Sequence, residues 1–527
     1  MSRRGMLALA WAAALAVAAC GSDPEKPVDQ GAGGGGDTGG DTGGDTGGDT
    51  GGDTGGDTGG DTGGGGGDPG FVFGTPGPWP VENVRYGAAD GIEETPIVAM
   101  ATDEAQNRWL ATPLALYVMR PGETRFRRLD ADDGLHLGRA AGTSPGAGPG
   151  WARYCNGRPV TLDERCGGTV LWGGAAAAGI RTLVGGKPDE VFVGYVGEHT
   201  PDLACGDPGT DEGASDACDP FRHMGKIDRV KLQADGTLQV DRFDLLSNDH
   251  GANYWHNRTI NRLVYDHFVQ PGTLYAAAEH GVTILFPERF RLPAPGEWFD
   301  LAYKEWMGDH LHARVCFEKA CADDGSQRMG DWLGLAVNAE GSLWHAGKWT
   351  AGLITFDPDP LVWFRRNGAA FEEAFGDPYA GPTSSGFDNE PVFKVAAEGH
   401  PVHLSAVTVC PDGKVWFGSL GPSDGVAETV ASFDGSRFTT FLAGEVGLAE
   451  APVKDVVCLP DGRLVFAGAH TGLALFDPVT GSSERLTAGT GHLPSDRVIQ
   501  LDLDRMASPP SLHVATAGGA AVLRVFP

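Results

Sequence analysis

Between Cys458 and Gly481 the chain reads CLPDGRLVFAGAHTGLALFDPVTG. Two short apolar runs, LVFAG and GLALF, are set apart by a Pro-Asp-Gly turn before them and a His-Thr-Gly turn between them. Runs of this length, bounded by Asp-Gly and Gly signals and rich in branched and aromatic residues, are strands rather than helices. The stretch decides the fold because it recurs. Comparable units begin at Ile97 (IVAMATDEAQNRWLATPLALYVM), Ile180 (IRTLVGGKPDEVFVGYVG), Ile260 (INRLVYDHFVQPGTLYAAAEHGVTILF), Trp332 (WLGLAVNAEGSLWHAGKWTAGLITFDP), Leu404 (LSAVTVCPDGKVWFGS), Val453 and Val498. The second unit is the least regular, because an insertion with cysteines separates its second strand from KIDRVKL.

A unit of three or four short strands cannot bury an apolar face alone, so such units stack on their neighbours. Closing the array radially is the arrangement that leaves few strand edges exposed. The segments PDGKVWFGS, AEGSLWHAG and GLALFDPVTGSSERLTAGTGHLPSDRVIQLDLD resemble the repeats of two-component-regulator-type β-propellers, over residues 332–527 and more weakly over 97–300. The resemblance implies an all-β fold, a single β-propeller. Seven blades of four-stranded antiparallel sheets are expected, with six or eight as the alternatives left by the irregular second unit. VENVRYGAADGI (81–92) reads as the outer strand and link of a preceding blade, and RRLDADDGL (127–135) is the same kind of end. The N-terminal strand is therefore expected to pair with the C-terminal blade and close the ring.

The chain of 527 residues has a formal net charge of −30. A surface that acidic repels nucleic acid and anionic head groups, so neither is an expected ligand. Residues 1–19 read as a leader: a basic start (Arg3, Arg4) and an apolar run too short to span a membrane. Val17-Ala18-Ala19 before Cys20 resembles the lipobox of bacterial lipoproteins. That resemblance implies cleavage before Cys20 and its lipidation, and, with Gly21 following, placement at the outer membrane, on its periplasmic side or at the cell surface. An ordinary secretory leader with a stray cysteine is the alternative. Residues 20–70 read as a disordered tether in which Gly-Gly-Asp-Thr repeats with period four. About 50 residues of such coil reach ~40 Å. The propeller is expected over 71–527, as a monomer held to the membrane by its lipid.

Eight further cysteines suggest disulfides in an exported chain. Cys155 with Cys166, Cys205 with Cys218, and Cys316 with Cys321 lie close together inside insertions. Cys410 and Cys458 each precede a Pro-Asp-Gly turn at nearly the same place in their repeats, so they are placed to meet across neighbouring units. In a propeller, the turns between second and third strands and the links between blades share one face around the channel. His280 and His470 fall in such turns, and His345 follows Trp344 one turn earlier. His256, His310, His312, His403 and His492 precede or open first strands. With the loop residues Trp255, Trp306 and Trp349, these histidines are the ligand-face candidates. His256, His312 and His403 are the candidates for a metal, since imidazoles converging on one point hold a transition metal or act as acid and base. The loop 202–220 carries Asp207, Asp211, Glu212 and Asp216, oxygen ligands suited to calcium but without EF-hand spacing. Trp109, Phe192, Tyr275, Trp344, Trp416 and Phe466 are expected at one equivalent strand position, as core between blades.

No GxSxG elbow, HExxH pair, Walker loop or dinucleotide fingerprint is present. The expected function is therefore a lipid-anchored, exported scaffold that binds a protein, peptide or glycan, with no cofactor and no assigned catalytic residue. The alternative is a metal-dependent lyase or hydrolase using the face histidines, and a third reading is a purely structural envelope protein.

Overall fold

The computed structural model describes residues 82–135, 137, 152–155, 158–160, 170–173, 179–196, 227–243, 259–278, 282–290, 307–311, 332–347, 350–355, 383–388, 404–420, 429–435, 437–450 and 452–525. The leader, Cys20 and the tether lie outside them. The fold is a β-propeller of four-stranded antiparallel sheets.

The first strand to appear, β1 (Glu82–Tyr86), belongs to the last sheet. Sheet 1 is β2 (Ala99–Thr102), β3 (Arg108–Ala111), β4 (Leu116–Met119) and β5 (Arg127–Leu129). An inserted three-stranded sheet follows, made of β6 (Ala152–Cys155), β7 (Arg158–Val160) and β8 (Val170–Gly173). Sheet 2 is β9 (Gly179–Gly185), β10 (Glu190–Val196), β11 (Ile227–Leu232) and β12 (Leu238–Phe243). Sheet 3 is β13 (Ile260–Asp266), β14 (Thr273–Ala278), β15 (Val282–Leu285) and β16 (Met307–Leu311). Sheet 4 is β17 (Trp332–Val337), β18 (Leu343–Gly347), β19 (Thr350–Thr355) and β20 (Thr383–Asp388). Sheet 5 is β21 (Leu404–Val409), β22 (Val415–Ser419), β23 (Val430–Phe433) and β24 (Phe438–Phe441). Sheet 6 is β25 (Val453–Cys458), β26 (Leu464–Gly468), β27 (Gly472–Phe476) and β28 (Ser483–Leu486). These six sheets are each built from four consecutive strands. A further, composite sheet joins β29 (Val498–Asp504), β30 (Ser511–Thr516) and β31 (Gly519–Arg524) to β1, which pairs antiparallel with β31 from Glu82↔Arg524 to Tyr86↔Ala520.

First strands lie against first strands: β2 on β9, β9 on β13, β13 on β17, β17 on β21, β21 on β25, β25 on β29 and β29 on β2. Local chemistry makes each hairpin. At the first-to-second-strand turns the side chains of Asn338, Asp412 and Asp461 accept backbone N–H bonds from Ser342, Lys414 and Arg463. Gly341, Gly413 and Gly462 take the left-handed conformation that these turns require. The echo between 84–92 and 127–135 is a shared link. Short 3-10 turns at Ala88–Asp90, Ala131–Asp133 and Ala443–Val446 end in Gly91, Gly134 and Gly447. Each then drops an apolar side chain, Ile92, Leu135 or Leu448, into the core.

A β-bulge recurs at the start of the first strand. It lies between Ile260 and Arg262, Trp332 and Gly334, Leu404 and Ala406, Val453 and Asp455, and Val498 and Gln500, and opposite Gly194 in sheet 2. Past the bulge the registers align all the sheets. One slot on the second strand, set by the pairs Ala101↔Trp109, Val184↔Phe192, Val264↔Tyr275, Ala336↔Trp344, Thr408↔Trp416, Val457↔Val465 and Asp502↔His513, faces the next sheet. The neighbouring slot, Leu110, Val193, Ala276, His345, Phe417, Phe466 and Val514, faces the sheet before. Phe466 is thus not equivalent to the five other aromatics. It sits one residue later and packs back on Trp416 of sheet 5, because successive residues of a strand point to opposite faces of the sheet. Its place in the forward slot is taken by Val465.

Candidate functional site

The first strands present their unpaired edges to the central opening, where backbone N–H and C=O groups need partners. Arg262 of sheet 3 supplies one solution. Its guanidinium donates to the Asp455 carboxylate of sheet 6 at 2.6 Å and to the carbonyl of Leu501 in the composite sheet at 3.0 Å. The Leu501 amide donates in turn to Asp455 at 2.8 Å, and the other carboxylate oxygen accepts from the Val456 amide. Asp455 is buried and Arg262 half-buried. A charged pair so enclosed persists only with further polar partners; here both carboxylate oxygens accept backbone amides and the guanidinium also donates to a carbonyl. The contact crosses between sheets that are not neighbours, so it is a strut spanning the opening just inside the face where first strands begin.

The two faces differ. Every first-to-second-strand turn is four to six residues long. The third-to-fourth-strand connections share the face of these turns and include 286–306 between β15 and β16 and 356–382 between β19 and β20. The opposite face, where first strands begin, carries every link from one sheet to the next, such as 312–331 between β16 and β17, together with 197–226 between β10 and β11. The histidine candidates fare unevenly against this frame. His470 lies exposed in its turn, as the sequence places it. His492 is half-buried in a link, with its Nδ1 2.9 Å from the Thr490 hydroxyl. His310 is in β16, the fourth strand of sheet 3, not at the opening of a first strand. His345 is not on a face at all: it is fully buried in β18, its ring edge-on to Trp332 at 4.3 Å between centroids. Neither ring nitrogen has a hydrogen-bond partner among the described residues, and burial pushes its pKa down to about 3. It is a neutral core imidazole, and the apolar alternation of its strand is the reason. His256, His280, His312, His403, Trp255, Trp306 and Trp349 lie outside the described residues, as does the acidic loop 202–220. Among the described residues no group of three or more His, Cys, Asp or Glu could hold a metal.

Of the cysteines, Cys410 and Cys458 form a disulfide between sheets 5 and 6. Cys155 is in β6, while Cys166, Cys205, Cys218, Cys316 and Cys321 lie outside the described residues. Sequence reasoning missed His513. It occupies the forward slot of the composite sheet, buried, with Nε2 3.2 Å from the Thr102 hydroxyl of sheet 1 and Nδ1 3.6 Å from Asp502. The available signal was positional: in five of the six other sheets that slot is aromatic.

No family model matches the chain, and no curated protein matches it. A solved structure described as "Crystal Structure of Mitotic Checkpoint Complex" is similar to it with a TM-score of 0.43 and 10% identity, over 86% of this chain and 94% of that chain. The propeller assignment stands on the sheets and registers described above.

Proposed function

We propose that this chain is a lipoprotein of the cell envelope whose seven sheets close into one propeller of the two-component-regulator type, and that it works as a binding scaffold. Its ligand is a protein, peptide or glycan taken up on the face where first strands begin. The observation that carries this reading is the asymmetry of the two faces. The side-chain-capped first-to-second-strand turns all finish one face, and every link from one sheet to the next is on the other, where loop variation on a rigid scaffold builds binding surfaces. The Arg262–Asp455 strut obstructs the opening just below that face, which favours a ligand resting on the mouth over one threading the axis.

Two measurements test the reading. Replacing Cys20 by Ala is expected to abolish palmitate labelling and release the chain from the membrane fraction; retention of both would remove the anchor. Replacing Arg181 and Lys454, exposed cations on first strands of sheets 2 and 6 at that mouth, by Glu is expected to weaken capture of envelope proteins or glycans. The same reversal at Glu123 and Asp235 on the opposite face leaves capture unchanged. A stoichiometric metal found by mass spectrometry and lost on chelation together with activity would instead favour the lyase or hydrolase alternative at His256, His312 and His403.

A further inference from the structure

The slot that faces the preceding sheet holds Leu110, Val193, Ala276, Phe417, Phe466 and Val514 in six sheets and His345 in sheet 4. An imidazole there has no polar role in the fold. Its strand neighbour Leu343 and its cross-strand partner Leu335 belong to the apolar cluster that joins sheets 3 and 4. That cluster contains Tyr275, Ala277, Val282, Ile284, Phe286 and Trp332, with Val264 and Val337 beside it. Tyr275 is its one titratable member; beside it Glu288 and Arg289 follow Phe286 in a short 3-10 turn, with the Arg289 guanidinium over the Phe286 ring at 5.5 Å. The charged groups at either end of β13 are committed elsewhere: Arg262 to Asp455 and Leu501, and Asp266 to the amides of residues 268–270. β17 and β18 contribute no charged side chain to the interface, and His345 pairs across β19 with Gly352.

We propose that His345 is an acid-sensitive wedge: protonation of its imidazole forces the interface between sheets 3 and 4 open while the other interfaces stay closed. A proton on a fully buried ring with no hydrogen-bond partner among the described residues is an unpaired charge in an apolar layer, and the chain relieves it by admitting water. The folded state holds the proton far less readily than an opened state, whose imidazole titrates near 6.5. The interface is therefore intact above that pH and loosens as the pH falls below it. The population of the open form rises by up to about tenfold for each further unit of acidification. An envelope protein built this way would reshape one sector of its ring in an acid surrounding and recover on neutralisation.

The test is amide hydrogen exchange of the full chain at pH 7, 6 and 5, corrected for the intrinsic rate at each pH. Peptides covering 260–278 and 332–347 are compared with an internal standard over 453–476 in sheet 6. The expected result is that opening in the first two rises roughly tenfold between pH 6 and pH 5 and is unchanged in the standard. His345→Phe, which places in sheet 4 the residue that sheets 5 and 6 carry, and His345→Gln, which keeps a polar group without a titration, both abolish the rise. Uniform opening of all three regions in the unmodified chain overturns the proposal, as does a rise that survives in either variant. The unmodified chain decides the question even if both variants fail to fold.

Discussion

Two interfaces of the propeller solve one problem in different ways. Between sheets 5 and 6 the forward slot is Trp416, which meets Phe466 and Phe476 edge-on at 6.1 Å and stacks on Phe441 at 5.3 Å. The Cys410–Cys458 disulfide ties the same two sheets. Between the composite sheet and sheet 1 the forward slot is His513, and it meets a hydroxyl, Thr102, across the interface. The chain runs continuously through the first interface, and there adhesion is enough. At the second, Thr102 and His513 meet from 411 positions apart, and the right register must be found across that separation. Apolar surfaces tolerate small slips, whereas a hydrogen bond of fixed length and direction does not. An apolar layer of Tyr86, Ile92, Ile97, Met100, Tyr117 and Val522 packs outside the polar pair, so the closing contact is specified near the axis and held together further out.

Four substitutions separate these contributions. Trp416→Ala is expected to cost the most, about 3–5 kcal/mol by urea unfolding, because it deletes a large, fully buried ring. If it cost no more than Thr102→Val, the contrast between the two interfaces would vanish. Replacing Cys410 and Cys458 together by Ser, which opens a loop of 48 residues, is expected to cost about 2–4 kcal/mol. Thr102→Val leaves the buried Nε2 of His513 unpaired and is expected to cost about 1–2 kcal/mol. Glu82→Gln breaks the exposed pair with Arg524 at the edge of the composite sheet and should change stability by less than about 1 kcal/mol. An effect of Glu82→Gln as large as that of Thr102→Val would move the specificity of closure from the histidine to the terminal strand.

Much of this architecture could be read from the residues. The strands, the Asp-Gly hairpins, the link motif of 84–92 and 127–135, and the meeting of Cys410 with Cys458 follow from local patterns that recur in sequence. What escaped is non-local. Arg262 and Asp455 are 193 residues apart, and nothing in INRLV or VKDVV marks either as half of a pair. The bulge at the head of six of the seven first strands leaves no motif. Phe466 reads as equivalent to Trp416 because it is the aromatic of its strand, whereas the register gives that slot to Val465. His345 illustrates the opposite error: a polar letter next to a turn looks like a face residue until strand alternation puts it in the core.

The composite sheet has a consequence for synthesis. β1 is made long before its partner β31, Glu82 and Arg524 being 442 positions apart. Six sheets can form as they leave the ribosome, but the strand that completes the last one must wait, its hydrogen-bonding edge uncovered, until residues 519–524 are made. A translation product that stops short of them is left with an orphan strand and an open array, a state that invites edge-to-edge association and removal by proteases. In effect the hairpin of β30 and β31 serves as a proofreading step, for only a chain that includes it can cover the edge of β1.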